Sequence, residues 1–398
     1  MKILQINNHY NRVGGAEVVF SNTINIFKKN GHRVLSLCRS NEGGEQGFND
    51  KYFIKYSGSL LKRFYSHDAA GLIERIIIEE KPDIAHIHNI VGGITFSILP
   101  ILKRYKIPTV ASIHDFRLIC PACHFIDGKN QVCQKCQGGK YFNCAINNCS
   151  QDGIIRSLFL TAESYLRDNL FPFQNFIDHY IFVSNFAKEK FSETHPFVLS
   201  KCTSIYNFTD RFSQKIEKGS YYLSFGRLAN EKGLLTLIKA FKDIPQAHLK
   251  IAGRGPLKDL LKNSITENIE LVGYKTGPEL EELIKSASFV IVPSECYETN
   301  SLTTVESYAM GKPVIGSSIG ALSELIIDGK TGFTFPPTDF NSLSKLISKC
   351  SKINESEYSE LSENAYSFAV NSFSPEIYYD QLINVYNVVL KNLKNNSL

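Results

Sequence analysis

The chain has 398 residues, 43% of them hydrophobic, and a formal net charge of +5. That length predicts two domains of roughly 100–200 residues each. No apolar run reaches the ~20 residues that span a bilayer, and no recognition motif or basic stripe with interleaved aromatics marks a nucleic-acid binder.

The start, Met1-Lys2-Ile3-Leu4-Gln5-Ile6, reads as a strand without a signal-peptide pattern, so a cytoplasmic protein is expected. The basic excess belongs to residues 1–200, with 23 Lys/Arg against 17 Asp/Glu, whereas residues 201–398 hold 21 against 22. A positive first half suits anionic lipid head groups or a phosphorylated acceptor, and equally an ordinary solvated surface.

In chain order, residues 3–6 form the first strand, followed by Gly14-Gly15 and a helix over 16–29 that Gly31 closes. Glycines there let the backbone approach a ligand closely, or simply make a tight turn. Strands are expected at 34–37, 83–88 and 109–114, the last ending on His114-Asp115. His86 and His88 alternate along the strand before it and read as structural. An insert over 116–152 follows, rich in Gly, Asn and Gln and holding six of the ten cysteines. Residues 154–173 mix apolar positions with Arg156, Arg167 and Asp168, as a core-facing or an interfacial amphipathic helix would. A strand at 180–183, a helix at 185–191 and a polar break at 206–210 close the first half.

A second series begins with a strand at 221–225 and continues with strands at 248–252, 269–272, 289–292 and 313–315, separated by helical segments. Phe225-Gly226-Arg227-Leu228 ends the first of these, and Glu231-Lys232-Gly233 opens the next helix. Ile251-Ala252-Gly253-Arg254-Gly255-Pro256 repeats the arrangement. Arg227 and Lys232 therefore stand where open α/β sheets bind phosphates. Further on, Glu298 falls in a strand-to-helix loop. Glu306 lies one turn into the helix marked by Leu302, Val305 and Ala309, which Gly311 and Pro313 stop. Two carboxylates beside helix-start amides suit a ligand with hydroxyl and phosphate groups; the bland alternative is a Thr303/Glu306 capping box next to a surface acid. Residues 375–393 make a last amphipathic helix, apolar at Ile377, Leu382, Val385, Val389 and Leu393.

The pattern predicts an α/β protein of two Rossmann-like, doubly wound domains with an interdomain cleft. Residues 1–205 form the first with its insert, 206–373 the second, and 374–398 a C-terminal crossover helix packing back on the first.

Taken together, these segments resemble the retaining family 4 glycosyltransferases of the GT-B fold, over nearly the whole chain. The resemblance rests on Gly14-Gly15, His114-Asp115, Gly226-Arg227 with Glu231-Lys232-Gly233, the Glu298/Glu306 pair, and Gly311-Lys312-Pro313-Val314-Ile315 followed by Gly329-Lys330-Thr331-Gly332-Phe333. It implies a nucleotide-sugar donor held by the second domain and a glycan acceptor by the first, with no catalytic metal. Arg227 and Lys232 would neutralise the donor diphosphate, helped by amides at Asn300, Ser301 and Leu302. Glu306 would take the ribose hydroxyls, Glu298 the donor sugar, His114 that sugar from the other domain, and Gly14 and Gly15 would lie against the donor. The loop Tyr297-Glu298-Thr299-Asn300-Ser301 lacks the Gly or Pro of the commoner pattern, which leaves the sugar open. An epimerase or phosphorylase of the same fold, and a noncatalytic sugar-nucleotide sensor, are the competing readings.

Within the insert, Cys120-x-x-Cys123 and Cys133-x-x-Cys136 have the pair spacing of a tetrahedral zinc site, and a reducing cytoplasm argues against disulfides. The spacing alone leaves six cysteines and His124 as candidates. Resemblance to an insert carried by a subset of the family implies Cys120, Cys133, Cys136 and Cys149 as ligands of a structural zinc, cross-linking a loop too polar to build a core. If residues 154–173 touch a membrane, the acceptor is expected to be lipid-linked at its inner face.

Overall fold

The computed structural model describes residues 1–10, 14–40, 50–55, 63–214 and 216–395. Its contacts divide the chain into one unit of Met1–Tyr206 with Tyr378–Leu398 and another of Asn207–Ile377. Each is a parallel sheet covered by helices.

In the first unit the strands are β1 (Lys2–His9), β2 (Arg33–Ser40), β3 (Lys51–Lys55), β4 (Ile84–Asn89), β5 (Thr109–Ile113), β6 (His179–Phe182) and β7 (Cys202–Ser204). They pair in parallel in the order β3-β2-β1-β4-β5-β6-β7. Helices α1 (Gly15–Lys29), α2 (His67–Glu80), α3 (Leu99–Arg104), α4 (Phe142–Ile146), α5 (Ile154–Leu170) and α6 (Asn185–Thr194) occupy the connections. The continuous burial of β1, β4 and β5, with Gln5, His86, His88 and Ser112 included, follows from this covering, because a strand covered on both faces has no solvent side. Ser66 and Ser184 cap α2 and α6 by accepting from Ala69 and Ala187 amides, which fixes where those helices begin.

The second unit holds β8 (Tyr221–Arg227), β9 (Leu249–Arg254), β10 (Ile269–Gly273), β11 (Ala287–Val292), β12 (Val314–Ser317) and β13 (Gly332–Phe335), ordered β10-β9-β8-β11-β12-β13. Its helices are α7 (Leu234–Lys242), α8 (Lys258–Lys262), α9 (Pro278–Lys285), α10 (Leu302–Ala309), α11 (Leu322–Leu325), α12 (Phe340–Ser351) and α13 (Glu355–Phe373). Leu237, Phe241, Phe289, Ile315 and Tyr358 are among its core residues. The Gly311-Lys312-Pro313 segment serves this core: Lys312 is fully buried and donates to the Glu217 carbonyl at 2.8 Å.

The last helix, α14 (Pro375–Asn395), enters the first unit from Tyr378 onward. There Leu382, Val385 and Val389 are buried, and the Tyr386 ring stacks on Phe27 with centroids 5.3 Å apart. The fold is thus two Rossmann-like α/β domains. In both sheets the strand order reverses at the first strand, between β1 and β4 and between β8 and β11. A doubly wound sheet leaves an open crevice at that point, beyond the carboxyl ends of the strands.

Candidate functional site

At the reversal in the second unit, Arg227 ends β8 and Lys232 follows in a short turn before α7. Gly233 makes that turn possible. It has φ 65°, and a Cβ there would lie 1.9 Å from the Pro293 carbonyl oxygen, so only glycine lets the Lys232 segment lie against the chain leaving β11. Lys232 Nζ consequently reaches Glu298, donating to Oε1 at 2.6 Å, and Ser294 Oγ donates to the same oxygen at 2.5 Å. Burial disfavours the Lys232 ammonium, but the adjoining Glu298 outweighs it and holds the pKa above the ordinary lysine value. Arg227 is likewise paired, with the buried Glu231. The two cations expected to meet a diphosphate are therefore each matched by a carboxylate.

The loop bearing Glu298 is braced from β12. Gly320, at φ 61°, sits so close that a Cβ would fall 2.6 Å from the Glu298 nitrogen, and Ala321 N donates to the Glu298 carbonyl at 2.9 Å. Ser301 is the cap of α10, its hydroxyl accepting from Thr304 N at 3.2 Å. The cap is therefore Ser301 and not the Thr303/Glu306 box that was the bland alternative, and the Ser301 side chain is committed, leaving its backbone as the group able to contribute to a ligand. Thr303 Oγ1 donates to the Phe225 carbonyl at 3.3 Å, tying the first turn of α10 to the end of β8. Leu302 opens α10, and Glu306, its fifth residue, is half-buried one turn in. Arg227, Lys232, Glu298, Asn300, Ser301, Leu302 and Glu306 thus all belong to the carboxyl edge of one sheet, in the segments that follow β8 and β11.

In the first unit, Gly14 and Gly15 are exposed at the start of α1, just beyond β1. Neither has positive φ, and a Cβ on Gly14 would meet a movable Glu17 oxygen at 3.2 Å, so their position rather than strain distinguishes them. His114 follows β5, and its Nε2 lies 2.8 Å from His88 Nδ1 with the rings stacked 5.1 Å apart. The network fixes tautomers. Gln5 uses its amide nitrogen toward Tyr386 and its oxygen toward His88 Nε2, at 2.8 Å. With the Gln5 oxygen facing it, His88 donates from Nε2 and accepts at Nδ1 from His114 Nε2. Burial keeps these imidazoles neutral: His114 is lowered to about 4 despite Asp115, His86 to about 3, and His88 well below its usual value. His88, which the sequence marked as structural, is the direct partner of His114. A small cavity of about 50 Å³ opens beside them, lined by His88, His114, Asp115, Arg117, Ile90 and Tyr180 among others.

The insert departs from expectation in one respect. It builds a small core of Cys136, Tyr141, Cys144 and Leu160, against which Cys149 and Phe159 pack, where a loop too polar for a core was expected. The apolar residues of α5 supply the missing surface. None of the ten cysteines forms a disulfide. Cys120 is raised by burial, with Cys123, Cys136 and Cys149 adding to the effect; Cys136 is pushed up to about 12 by burial and by Cys149 and Cys133. Cys149 interacts most strongly with Cys144, and Cys123 accepts from Arg117 across 3.6 Å. The four expected ligands therefore share one neighbourhood, but among the described residues no group of three or more His, Cys, Asp or Glu is arranged to hold a metal ion.

Comparison with known proteins decides the family. The model of Glycosyltransferase Family 4 matches residues 13–211, half of the chain, and that of Glycosyl transferases group 1 matches residues 207–368. The chain belongs to these glycosyltransferases. Across 82% of its length the glycosyltransferase is 26% identical to an uncharacterized 42.6 kDa protein in the cps region of Klebsiella pneumoniae, covering 87% of that protein. It is 25% identical to the capsular polysaccharide biosynthesis glycosyltransferase CapM of Staphylococcus aureus, over 54% of this chain and 60% of CapM. Anabaena HepE, solved with UDP and glucose, superposes with a TM-score of 0.69 at 17% identity, over 97% of this chain and 99% of that one. The glycosyltransferase accordingly has the GT-B fold. No helix among its described residues is long and apolar enough to cross a membrane.

Proposed function

We propose that this glycosyltransferase moves a sugar, with retention of anomeric configuration, from a nucleoside diphosphate sugar to a lipid-linked glycan during surface polysaccharide assembly. The observation that carries the donor assignment is the Lys232–Glu298 pair at the reversal between β8 and β11, beside the start of α10. Helix-start amides and two cations suit the diphosphate, and carboxylates suit hydroxyls. Arg227 and Lys232 meet the charge that grows on the leaving diphosphate, Glu306 binds the ribose, and Glu298 orients the sugar. His114 lies beside the donor sugar. The bond from the anomeric carbon to the diphosphate oxygen breaks as the acceptor oxygen bonds from the same face. The acceptor proton passes to a donor phosphate oxygen, giving glycoside and nucleoside diphosphate. No protein nucleophile and no catalytic metal enter this scheme. CapM and the cps-region relative support the polysaccharide setting, and HepE with UDP supports a nucleotide-sugar donor.

The enzyme works at the inner face of the membrane, where a lipid-linked acceptor is presented. The insert takes a structural zinc on Cys120, Cys133, Cys136 and Cys149, a reading supported by the gathering of these thiols and one that requires them to close in when the ion binds.

A panel of nucleotide sugars with lipid-linked acceptors, read by product mass and anomeric configuration, tests the assignment. Nucleoside diphosphate released only when acceptor is supplied supports transfer; an isomerised donor without acceptor, or an inverted product, overturns it.

A further inference from the structure

Eight of the nineteen large apolar side chains exposed among the described residues fall between 142 and 170. On α5 they are Ile154, Ile155, Leu158, Tyr165, Leu166 and Leu170, spaced to share one face, with the exposed Ala162 between them. Ile155 is 81% exposed and Leu170 62%. The opposite face is occupied inside the unit, where Ser157, Leu160, Glu163, Ser164 and Arg167 are buried, so the apolar stripe is not leftover core. Helix α4 packs against α5 and extends the surface with Phe142 and the 73% exposed Ile146. Phe142 N donates to Tyr165 Oη at 3.3 Å, which joins the two parts.

One border of this surface is cationic. The guanidinium carbons of Arg63 and Arg156 lie 5.8 and 5.1 Å from the same Phe159 ring centroid. Burial and then the nearby Arg63 lower the Arg156 pKa, as expected when like charges adjoin. Lys129, Lys135 and Lys140 are exposed on the insert. Buried Glu163 offsets part of this charge, one carboxyl set among Arg117, Arg167, Arg156 and Arg63, while Asp127 caps its own turn through the Lys129 and Gln131 amides and Asp168 is held by Arg167 and Tyr141. Asp152 is exposed and acts on Arg156.

We infer that the α4–α5 face docks on an anionic lipid bilayer, its apolar stripe entering the headgroup boundary and Arg63 and Arg156 lying at phosphate level. An apolar face edged by cations is what such an interface recognises. The inference deepens the proposed action on a lipid-linked acceptor, and rests on that reading for its purpose.

The test is cosedimentation of the full chain with vesicles of phosphatidylcholine alone and of equimolar phosphatidylcholine and phosphatidylglycerol. Binding is expected only to the anionic vesicles, weakened about fivefold by Arg63→Gln or Arg156→Gln, given the contribution of one basic residue near such a surface. Leu158→Glu with Leu166→Glu should abolish it, and Ile155→Ser, at the most exposed position, provides a milder check that folding is retained. Equal binding to both vesicle types, no binding, unaltered binding by these variants, or a wild-type dimer that the double variant splits would each overturn the inference. Transfer to an acceptor freed of its lipid separates the two proposals. Transfer without vesicle binding sinks the docking surface and keeps the transferase; vesicle binding without any transfer does the reverse.

Discussion

Replacing Lys232 with methionine keeps most of its stem and removes its charge, with two separable effects. The Nζ–Oε1 distance of 2.6 Å corresponds to roughly 6 kcal/mol of gross attraction at an effective dielectric of about 20. Desolvation of both groups offsets much of that. Because Lys232 is 32% and Glu298 12% exposed, the net destabilisation falls below the ~3–5 kcal/mol of a fully buried pair, at about 2 kcal/mol. For a domain of this size, about 2 kcal/mol lowers Tm by roughly 4–8 °C. The chemical effect is larger: loss of a fixed cation at the leaving diphosphate should reduce kcat by about 10²–10³. Glu298→Gln provides the contrast. It keeps the one oxygen that Ser294 and Lys232 share while freeing the ammonium's charge, so affinity for the nucleoside diphosphate should rise as transfer falls. Calorimetric titration with the diphosphate and acceptor-dependent diphosphate release measure the two quantities. Near-normal turnover by a folded Lys232→Met variant, or weaker diphosphate binding by Glu298→Gln, would refute the reasoning.

Acid should destabilise the first unit through its histidines. Unfolded imidazoles take up protons near pH 6.5, whereas folded His114 and His86 do so only near 4 and 3. Stability is therefore full above 6.5 and falls below it, by about 1.4 kcal/mol per pH unit for each imidazole; urea unfolding between pH 7 and 5 that shows no slope contradicts this. His88→Phe removes the acceptor for His114 Nε2 and should lower kcat more than donor binding, measured as a split between kcat and KM. Gly233→Ala places a Cβ within 1.9 Å of the Pro293 oxygen and should cost several kcal/mol or abolish folding, read from Tm and soluble yield. Elemental analysis of reduced protein should find one zinc per chain, lost in Cys136→Ser; a metal-free, fully folded protein would remove the zinc proposal.

Much of the fold was legible because parallel strands buried on both faces leave short, mainly apolar runs, as in β5 and β11, and because Gly31 and Gly311 stop helices visibly. The edge strands β3, β7 and β13 were not, although β10, also at an edge, was: β3 and β7 are segments of five and three residues whose strand character comes from pairing with a neighbour. The site was legible as residue types at strand ends. Its pairings were not, since Lys232 meets Glu298 across 66 positions and His114 meets His88 across 26, contacts that depend on β8 lying beside β11 and β5 beside β4. Gly320 carried no local signal, because its requirement comes from the Glu298 backbone rather than from its own turn. Tyr141 and Leu160 gave the insert a core that its composition concealed.

The most direct test of the central claim is the anomeric configuration of the product, determined by NMR, when the purified enzyme is given its nucleotide-sugar donor and a lipid-linked glycan. A new glycosidic bond with the donor's configuration, formed by wild type and lost in Lys232→Met, is the predicted result. An inverted linkage, or turnover of the donor with no bond to the acceptor, would contradict it.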